Sequence, residues 1–204
     1  MKNLHTFLFI GILSLFTISC KTSNSTDENS TTTATTIPLF QENVKGWSVF
    51  GGGSWKFENN ELTGTVQDTM AFVMTNNKYK NFVLKMEFYP DSTINSGVFV
   101  RCKNEVISDT DCYEVNIWDS RPDPEYRTGA IVKITKPLEY VETINKWNTI
   151  EIKCENDHKQ VWVNGILTAD VTEQSLVDGY IGLQAGGTGV MKFRNIEITP
   201  LELP

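Results

Sequence analysis

The sequence is poor in histidine, with only His5 and His158 among its 204 residues. A metal site or mechanism that needs several imidazoles is therefore nearly excluded. Basic residues are also few, since 18 Lys and Arg stand against 25 Asp and Glu and the formal net charge is −7. A nucleic-acid-binding surface needs a basic stripe for the phosphates, and the sequence has none. Nor does any apolar run reach the roughly 20 residues that a membrane-spanning helix needs.

The N-terminus has the features of an export signal. Lys2 precedes a short apolar stretch at residues 7–16, and the small residue Ser19 stands directly before Cys20. This order resembles a bacterial lipoprotein signal, in which residues 1–19 are removed and Cys20 is lipidated. An ordinary cleaved signal with an incidental cysteine is the alternative. The first interpretation predicts a membrane-anchored lipoprotein of the bacterial cell envelope, periplasmic or at the cell surface.

The rest of the chain divides into a tether and one folded domain. Residues 20–36 are rich in Ser and Thr and contain almost nothing to bury, so a flexible tether is expected. A single domain is predicted over residues 37–204. Its apolar residues alternate with period two between turn-like segments, and Asn164-Gly165 is a strong hairpin turn. The predicted strands cover residues 54–57, 61–66, 82–88, 97–102, 112–118, 128–134, 147–154, 160–163, 179–184 and 190–198.

This pattern predicts an all-β fold. No stretch keeps apolar residues at helical spacing for three turns. Ten or more short strands in one chain are typical of a two-sheet antiparallel sandwich or jelly roll.

Three cysteines lie in the predicted domain: Cys102, Cys112 and Cys154. Export permits disulfides, and a Cys102–Cys112 bridge would close the loop between two consecutive strands. Strand alternation places Cys112 on the same face as Glu114, but it places Cys102 opposite Arg101. A bridge therefore needs a bulge or frayed strand ends, and three buried free thiols are an equal alternative.

One predicted strand carries a polar row. Along residues 112–118, alternation puts Glu114, Asn116 and Trp118 on one face and apolar residues on the other. A carboxylate, an amide and an indole on one face are typical of a sugar site, where polar groups bind hydroxyls and the ring stacks on a pyranose. We interpret Asn116 and Trp118 as substrate-binding residues.

Two residues from other strands are expected to join this row. Arg101, on the neighbouring strand, would keep Glu114 ionised, and Gln184 on a later strand would bind another hydroxyl. The alternative is a structural Glu114–Arg101 pair without a ligand. A buried polar row needs partners for its hydrogen-bonding groups, which favours the site.

A series of short motifs occurs in a fixed order along the chain. They are Leu39-Phe40, Gly46-Trp47, Trp55, Glu61-Leu62, Asn95-Ser96-Gly97-Val98-Phe99-Val100-Arg101, Tyr113-Glu114-Val115-Asn116-Ile117-Trp118-Asp119, Thr128-Gly129-Ala130-Ile131, Trp147-Asn148, Val163-Asn164-Gly165, Gly182-Leu183-Gln184 and Phe193-Arg194-Asn195-Ile196. The set resembles the 3-keto-disaccharide hydrolase (3-keto-glucoside lyase/hydratase) family, formerly a domain of unknown function. The resemblance covers residues 39–201. It implies a concanavalin A-like jelly roll with a concave sugar-facing sheet, export in bacteria that degrade glycans, and chemistry on oxidised glycosides.

The residues favour this chemistry over ordinary glucan hydrolysis. Retaining glucanases of this shape carry Glu-x-Asp-x-Glu on one strand, whereas this chain has Glu114-x-Asn116-x-Trp118. Double displacement needs two carboxyl groups about 5–5.5 Å apart, and only one is present on this face. A ketone at C3 acidifies the C2 proton, so one base suffices. We expect Glu114 to act as this base, with Arg101 or a bound divalent metal stabilising the enolate.

The sequence departs from the family pattern in two places. Relatives typically carry a histidine shortly after the Leu-Gln motif, where this chain has a glycine-rich turn at residues 186–189. The tyrosine usual after Thr-Gly-Ala-Ile is Val132. A non-catalytic carbohydrate-binding lipoprotein is therefore the main alternative, and a structural or adhesive module of an envelope complex is a third. The expected partner is an oligosaccharide or oxidised glycoside, with membrane contact through the lipid anchor only.

Overall fold

The computed structural model describes residues 34–41, 46–108 and 110–201. Within these ranges the chain forms eleven β-strands and one short 3₁₀ helix, η1, and no α-helix. Accordingly, no helix in the described ranges has the length and apolar character to cross a membrane. The predicted signal peptide at residues 1–19 and the predicted lipidation site, Cys20, lie outside the described residues.

The structure contains most of the predicted strands and adds four segments that were not predicted, at residues 37–38, 47–51, 67–75 and 166–172. Residues 47–51 and 67–75 lacked a regular alternation that could be recognised in the sequence. The elements are β1 (Ile37–Pro38), β2 (Trp47–Gly51), β3 (Ser54–Glu58), β4 (Glu61–Thr75), β5 (Phe82–Pro90), β6 (Ile94–Cys102), β7 (Tyr113–Ile117), η1 (Pro124–Tyr126), β8 (Asn148–Glu155), β9 (His158–Val163), β10 (Ile166–Thr172) and β11 (Tyr180–Pro200).

The strands form two antiparallel layers that share their longest members. The first layer has the order β10-β9-β8-β5-β11-β4-β3, using the C-terminal part of β11 and the N-terminal part of β4. The second layer has the order β2-β4-β11-β6-β7, using the other halves of the same two strands. Between the layers lies a continuous apolar core. The predicted all-β, two-sheet antiparallel jelly-roll sandwich is confirmed.

The two layers are joined by a bulge rather than by a turn. The register of β11 against β4 shifts between Gly187 and Gly189, whose φ angles are +79° and +141°. Asp68 on the facing part of β4 also has a positive φ, and its N–H donates to the Thr188 hydroxyl at 3.1 Å. A bulge bends a strand without ending its pairing, and glycine tolerates the required backbone angles. The sequence-based prediction of a turn between two separate strands was therefore wrong, because β11 is continuous here.

One predicted strand is absent. Residues 128–134 form turns instead, and Ile131 makes only isolated bridges to Val115 and Thr135. Lys133 has a φ of +63°, which interrupts an extended conformation. The segment still lines the outer edge of β7, since the Gly129 N–H donates to the Asn116 carbonyl at 2.9 Å.

Candidate functional site

The outward side of the second layer carries most of the predicted site residues. Strand register aligns Gln184 on β11 with Gly97 on β6, and Gly97 with Asn116 on β7. Glu114 lies one row away, paired with Phe99. We call this surface the polar face, defined by Asn95, Gly97, Glu114, Asn116 and Gln184.

Strand alternation on β7 is as the sequence predicted. Tyr113, Val115 and Ile117 all belong to the apolar core between the layers. Glu114 and Asn116 therefore point to the outward side, because successive side chains of a strand alternate between faces.

Gly97 provides the space that Glu114 uses. A Cβ atom at Gly97 would lie 3.2 Å from both Cγ and Oε1 of Glu114. The carboxylate thus reaches over the backbone of β6 at Gly97, toward the neighbouring row that holds Gln184 and Asn116. A larger residue at position 97 would separate these three side chains.

Three side-chain oxygens of the polar face have no hydrogen-bond partner within the described part of the chain. They are Oδ1 of Asn95, Oδ1 of Asn116 and Oε1 of Gln184. Asn116 is fully buried and Gln184 is 5% exposed. A buried polar group without a partner costs about 1–3 kcal/mol, so three such oxygens on one face are a cost that the fold itself does not offset.

The two central amides are held differently. The Asn116 side-chain NH₂ donates to the Tyr126 carbonyl at 2.5 Å, which sets the orientation of its amide. The Gln184 NH₂ reaches only the Met70 sulfur, at 3.8 Å. Neither oxygen has a donor among the described residues.

Trp118 follows the end of β7 and is held by its neighbours. Its backbone N–H donates to the Thr128 hydroxyl at 2.9 Å, and its indole N–H donates to Ser120 Oγ at 3.1 Å. The Arg121 guanidinium lies 5.5 Å from the Trp118 ring centroid and 5.6 Å from that of Tyr126. The Arg121 cation therefore contacts the Trp118 and Tyr126 rings beside the end of β7.

The buried Asp119 carboxylate connects the loops around Trp118. It accepts hydrogen bonds from the Thr128 hydroxyl and from the backbone N–H and hydroxyl of Thr143, the last two at 2.6 and 2.8 Å. Thr128 in turn accepts from the Trp118 N–H, so Asp119 fixes the backbone at this position. Its role is structural.

Arg101 is not at the polar face, which corrects the predicted pairing with Glu114. It is fully buried, and its five guanidinium N–H groups are directed to four acceptors. The acceptors are the carbonyls of Lys80, Asn156 and Leu176 and the side-chain oxygen of Asn81, at 2.5 to 3.4 Å. Because all five donors bond to these acceptors, Arg101 connects the segments around residues 80, 156 and 176. It has no donor left for an enolate.

The displacement of Arg101 has a local backbone cause. Its φ of +55° accompanies a register shift of β11 against β6 between Tyr180 and Gly182. Alternation is broken there, so Arg101 turns inward and Cys102 turns outward, beside Phe99. Sequence reasoning missed this because a bulge leaves no periodic signal.

The same bulge permits the Cys102–Cys112 disulfide. The bridge is present, with the two Cα atoms 4.2 Å apart, and both cysteines pack in the small outward cluster with Phe99. Of the two alternatives left open by the sequence, the bridge is therefore the one observed. Cys154 is a buried free thiol, and burial raises its pKa to about 11.

Two contributors to the polar face were not assigned a role from the sequence. Asn95 and Gly97 precede Phe99 at alternate positions of β6, and this spacing was the available signal. Their importance depends on which residues of β7 and β11 lie opposite, and alternation alone does not determine register.

The polar face lacks a cluster of acidic, histidine or cysteine side chains for a metal ion. Among the residues that the structure describes, no group of three or more His, Cys, Asp or Glu side chains is placed to hold a metal ion. The face supplies one carboxylate and three amide oxygens, which are ligands of the kind that Ca²⁺ takes but fewer than its usual number of about six to eight. No chemical step is assigned to a metal.

Together, fold and site define a class of protein. A β-sandwich whose outer sheet surface presents amide oxygens, a carboxylate and neighbouring aromatic rings has the features of a carbohydrate-recognising jelly roll. Residues 35–199 match the model of the 3-keto-alpha-glucoside-1,2-lyase-like domain. The chain belongs to this family, which confirms the resemblance recognised in its motifs. No functionally curated protein matches the sequence.

Solved structures with the same fold include carbohydrate-related proteins. A Parabacteroides distasonis protein, provisionally described as a glycosyl hydrolase, superposes with a TM-score of 0.68 at 24% identity, covering 82% of this chain and 100% of that one. The carbohydrate-binding module CBM66 from Bacillus subtilis gives 0.60 at 15% identity, covering 77% and 97%. A galectin-like B. subtilis protein of unknown function gives 0.57 at 11% identity, covering 81% and 94%. These likenesses support the fold.

Proposed function

We propose that the polar face binds carbohydrate. Three buried amide oxygens without donors carry this proposal, because sugar hydroxyls are donors that can satisfy several closely spaced acceptors at once. The aromatic rings of Trp118 and Tyr126 lie at the end of β7, where a pyranose ring can stack. The family membership and the fold both support a sugar as the ligand.

We further propose that Glu114 cleaves 3-keto glycosides by elimination. Its carboxylate removes the C2 proton, and the C–H electron pair forms a C2–C3 double bond as the ketone π pair moves to oxygen. The enolate then re-forms the ketone, a C1–C2 double bond forms, and the C1–O bond breaks. The departing oxygen takes up a proton, so that the products are an unsaturated ketone and an alcohol. Water addition to the double bond would complete a net hydrolysis.

Arg121 replaces Arg101 as the proposed cation. Arg101 has no free donor, whereas the Arg121 guanidinium lies against the Trp118 and Tyr126 rings. A cation at the edge of the sugar site stabilises the negative charge that develops on the enolate oxygen.

The test separates binding from chemistry. Glu114→Gln keeps the shape and hydrogen-bonding reach of the side chain but removes the base. We expect turnover of a 3-keto glucoside to fall by about 10²-fold or more, while binding of the same sugar, measured by calorimetry, is retained. Full turnover by Glu114→Gln would exclude Glu114 as the base.

Carbohydrate binding without catalysis is the second candidate. It is supported by the single carboxylate on the polar face and by the fold shared with a carbohydrate-binding module. In that case the wild-type protein binds sugars without consuming a 3-keto glucoside, with or without added divalent metal.

We also propose that the protein acts outside the cytoplasm as a lipoprotein anchored through Cys20. The support is the order of a basic residue, an apolar stretch and Ser19-Cys20 at the N-terminus. Cys20→Ala should move the protein from the membrane fraction and abolish incorporation of labelled palmitate. Unchanged lipid labelling of this variant would refute the anchor.

A further inference from the structure

Asn116 and Gln184 lie on either side of Gly97 in one row of the polar face, yet their amides are constrained to different degrees. Both are buried, and both have an oxygen without a partner. What distinguishes them is the contact made by the nitrogen.

The Asn116 amide has one orientation. Its NH₂ donates to the Tyr126 carbonyl at 2.5 Å, and turning the amide would place two oxygens against each other. The Asn116 oxygen is therefore fixed as an acceptor, so at this atom Asn116 recognises a hydroxyl and not a ketone oxygen.

The Gln184 amide is free to turn. Its NH₂ makes a 3.8 Å contact with the Met70 thioether, a weak acceptor, so little is lost when the amide rotates by half a turn. In one orientation Gln184 accepts from a hydroxyl, and in the other it donates to a carbonyl oxygen.

We propose that Gln184 is the residue that recognises the C3 oxygen of the sugar, by donating to a ketone or accepting from a hydroxyl. Asn116 binds a hydroxyl that the oxidised and the unoxidised sugar share. This inference rests on the proposed function and adds a specificity determinant to it. Gln184 would let the same site accept both oxidation states of the sugar, with chemistry limited to the ketone.

The test uses a Glu114→Gln background, so that the ketone is not consumed. The probes are a methyl 3-keto-glucoside and the parent methyl glucoside, with affinities measured by calorimetry from pH 5 to 9. Gln184→Glu keeps the side-chain length but donates only when the carboxyl group is protonated. In Gln184→Glu, the ratio of keto-sugar affinity to parent-sugar affinity should fall about tenfold or more as that carboxyl group ionises. In the protein that keeps Gln184, this ratio should not change with pH.

Asn116→Leu is the matched control. It removes an acceptor used by both sugars, so both affinities should fall by a similar factor and their ratio should stay constant. A ratio that changes with Asn116→Leu but not with Gln184→Glu would overturn the assignment.

A second variant keeps the test possible if Gln184→Glu folds poorly. Gln184→Met removes the donor without adding charge, and it should also lower the ketone-to-parent ratio. A hydroxyl can turn its proton toward the Asn95 or Asn116 oxygen, but a ketone has no proton to give. If both sugars bind and neither Gln184 variant shifts the ratio, the inference about Gln184 is wrong while the binding function stands. If neither sugar binds with Gln184 in place, the binding function itself fails and this inference with it.

Discussion

A methyl group at Gly97 would lie 3.2 Å from both Cγ and Oε1 of Glu114, closer than side chains normally approach. The Val115 carbonyl, at 3.3 Å, closes the other side of the same space. Glu114 is thus positioned by the absence of a side chain on the neighbouring strand. Gly97 has an ordinary backbone conformation, so space and not strain accounts for the glycine.

We therefore expect Gly97→Ala to displace Glu114 while leaving the fold intact. Turnover of a 3-keto glucoside should fall at least tenfold, whereas the free energy of unfolding should change by about 1 kcal/mol or less. Gly46→Ala is the control, since a Cβ there meets nothing within 4 Å. Equal turnover by the two variants would show that the Glu114 position does not matter.

Gln184→Met should stabilise the protein while weakening sugar binding. Gln184 buries an oxygen without a partner, and replacing it with an apolar side chain of similar length removes that cost, about 1 kcal/mol. Urea unfolding measures the gain. The matched control is Asn148→Leu, since Asn148 is a buried amide with three partners: Thr143, Lys146 and Asn164. That control should lose stability, and stabilisation of both variants would contradict a role specific to Gln184.

Arg101→Lys should destabilise the fold without reducing the sugar affinity of the folded protein. Lysine has three donors and cannot reproduce the planar set of contacts, so buried carbonyls lose their partners at a cost of ~3 kcal/mol. Chemical denaturation measures this loss. Lys56→Arg is the surface control, where the exposed ammonium pairs with Glu58 at 2.6 Å and the change should stay within about 1 kcal/mol. If an Arg101→Lys variant folded stably but did not bind sugar, the assignment of a purely structural role to Arg101 would be wrong.

Two buried groups make opposite contributions to stability at alkaline pH. Burial and the nearby Arg101 charge lower the pKa of Lys159 from 10.5 to about 8. Between these values the unfolded chain holds more protons, so the free energy of unfolding rises with pH. Burial raises the pKa of Cys154 from 9.0 to about 11, so the folded chain holds more protons and stability falls with pH over that interval.

These opposing effects should be separable by mutation. From pH 8.5 to 10, the unfolding free energy of Cys154→Ala should rise with pH relative to wild type, and that of Lys159→Met should fall. A difference of ~1–2 kcal/mol is expected across this interval. Urea denaturation at several pH values measures it. Parallel pH curves for the two variants would show that neither group has the shifted pKa.

Alternation predicted the faces of β7 because its pairing is regular. Tyr113, Val115 and Ile117 are in the core, which leaves Glu114 and Asn116 on the outward side, as period two requires. The family motifs are likewise local strings, and the family model confirms them over residues 35–199. These features depend on neighbours along the chain and follow from the sequence alone.

The position of Arg101 could not be predicted from strand alternation. A single positive φ turned Arg101 into the interior and brought Cys102 to the side of Cys112. The glycine-rich segment at residues 186–189 behaved similarly, continuing a strand through a bulge where a turn was expected. Whether a bulge forms depends on the pairing of strands that are distant in sequence, so no local sequence pattern predicts it.

The sequence by itself determined the all-β class, the family, and the outward direction of Glu114 and Asn116 on β7. Each of these follows from local alternation or from motif order. Tertiary structure alone decided that Gln184 faces Asn116 across Gly97, that Arg101 lies on the other side, and that three amide oxygens share one surface without donors. Register between strands far apart in the chain sets these relations, and it depends on packing of the whole sandwich.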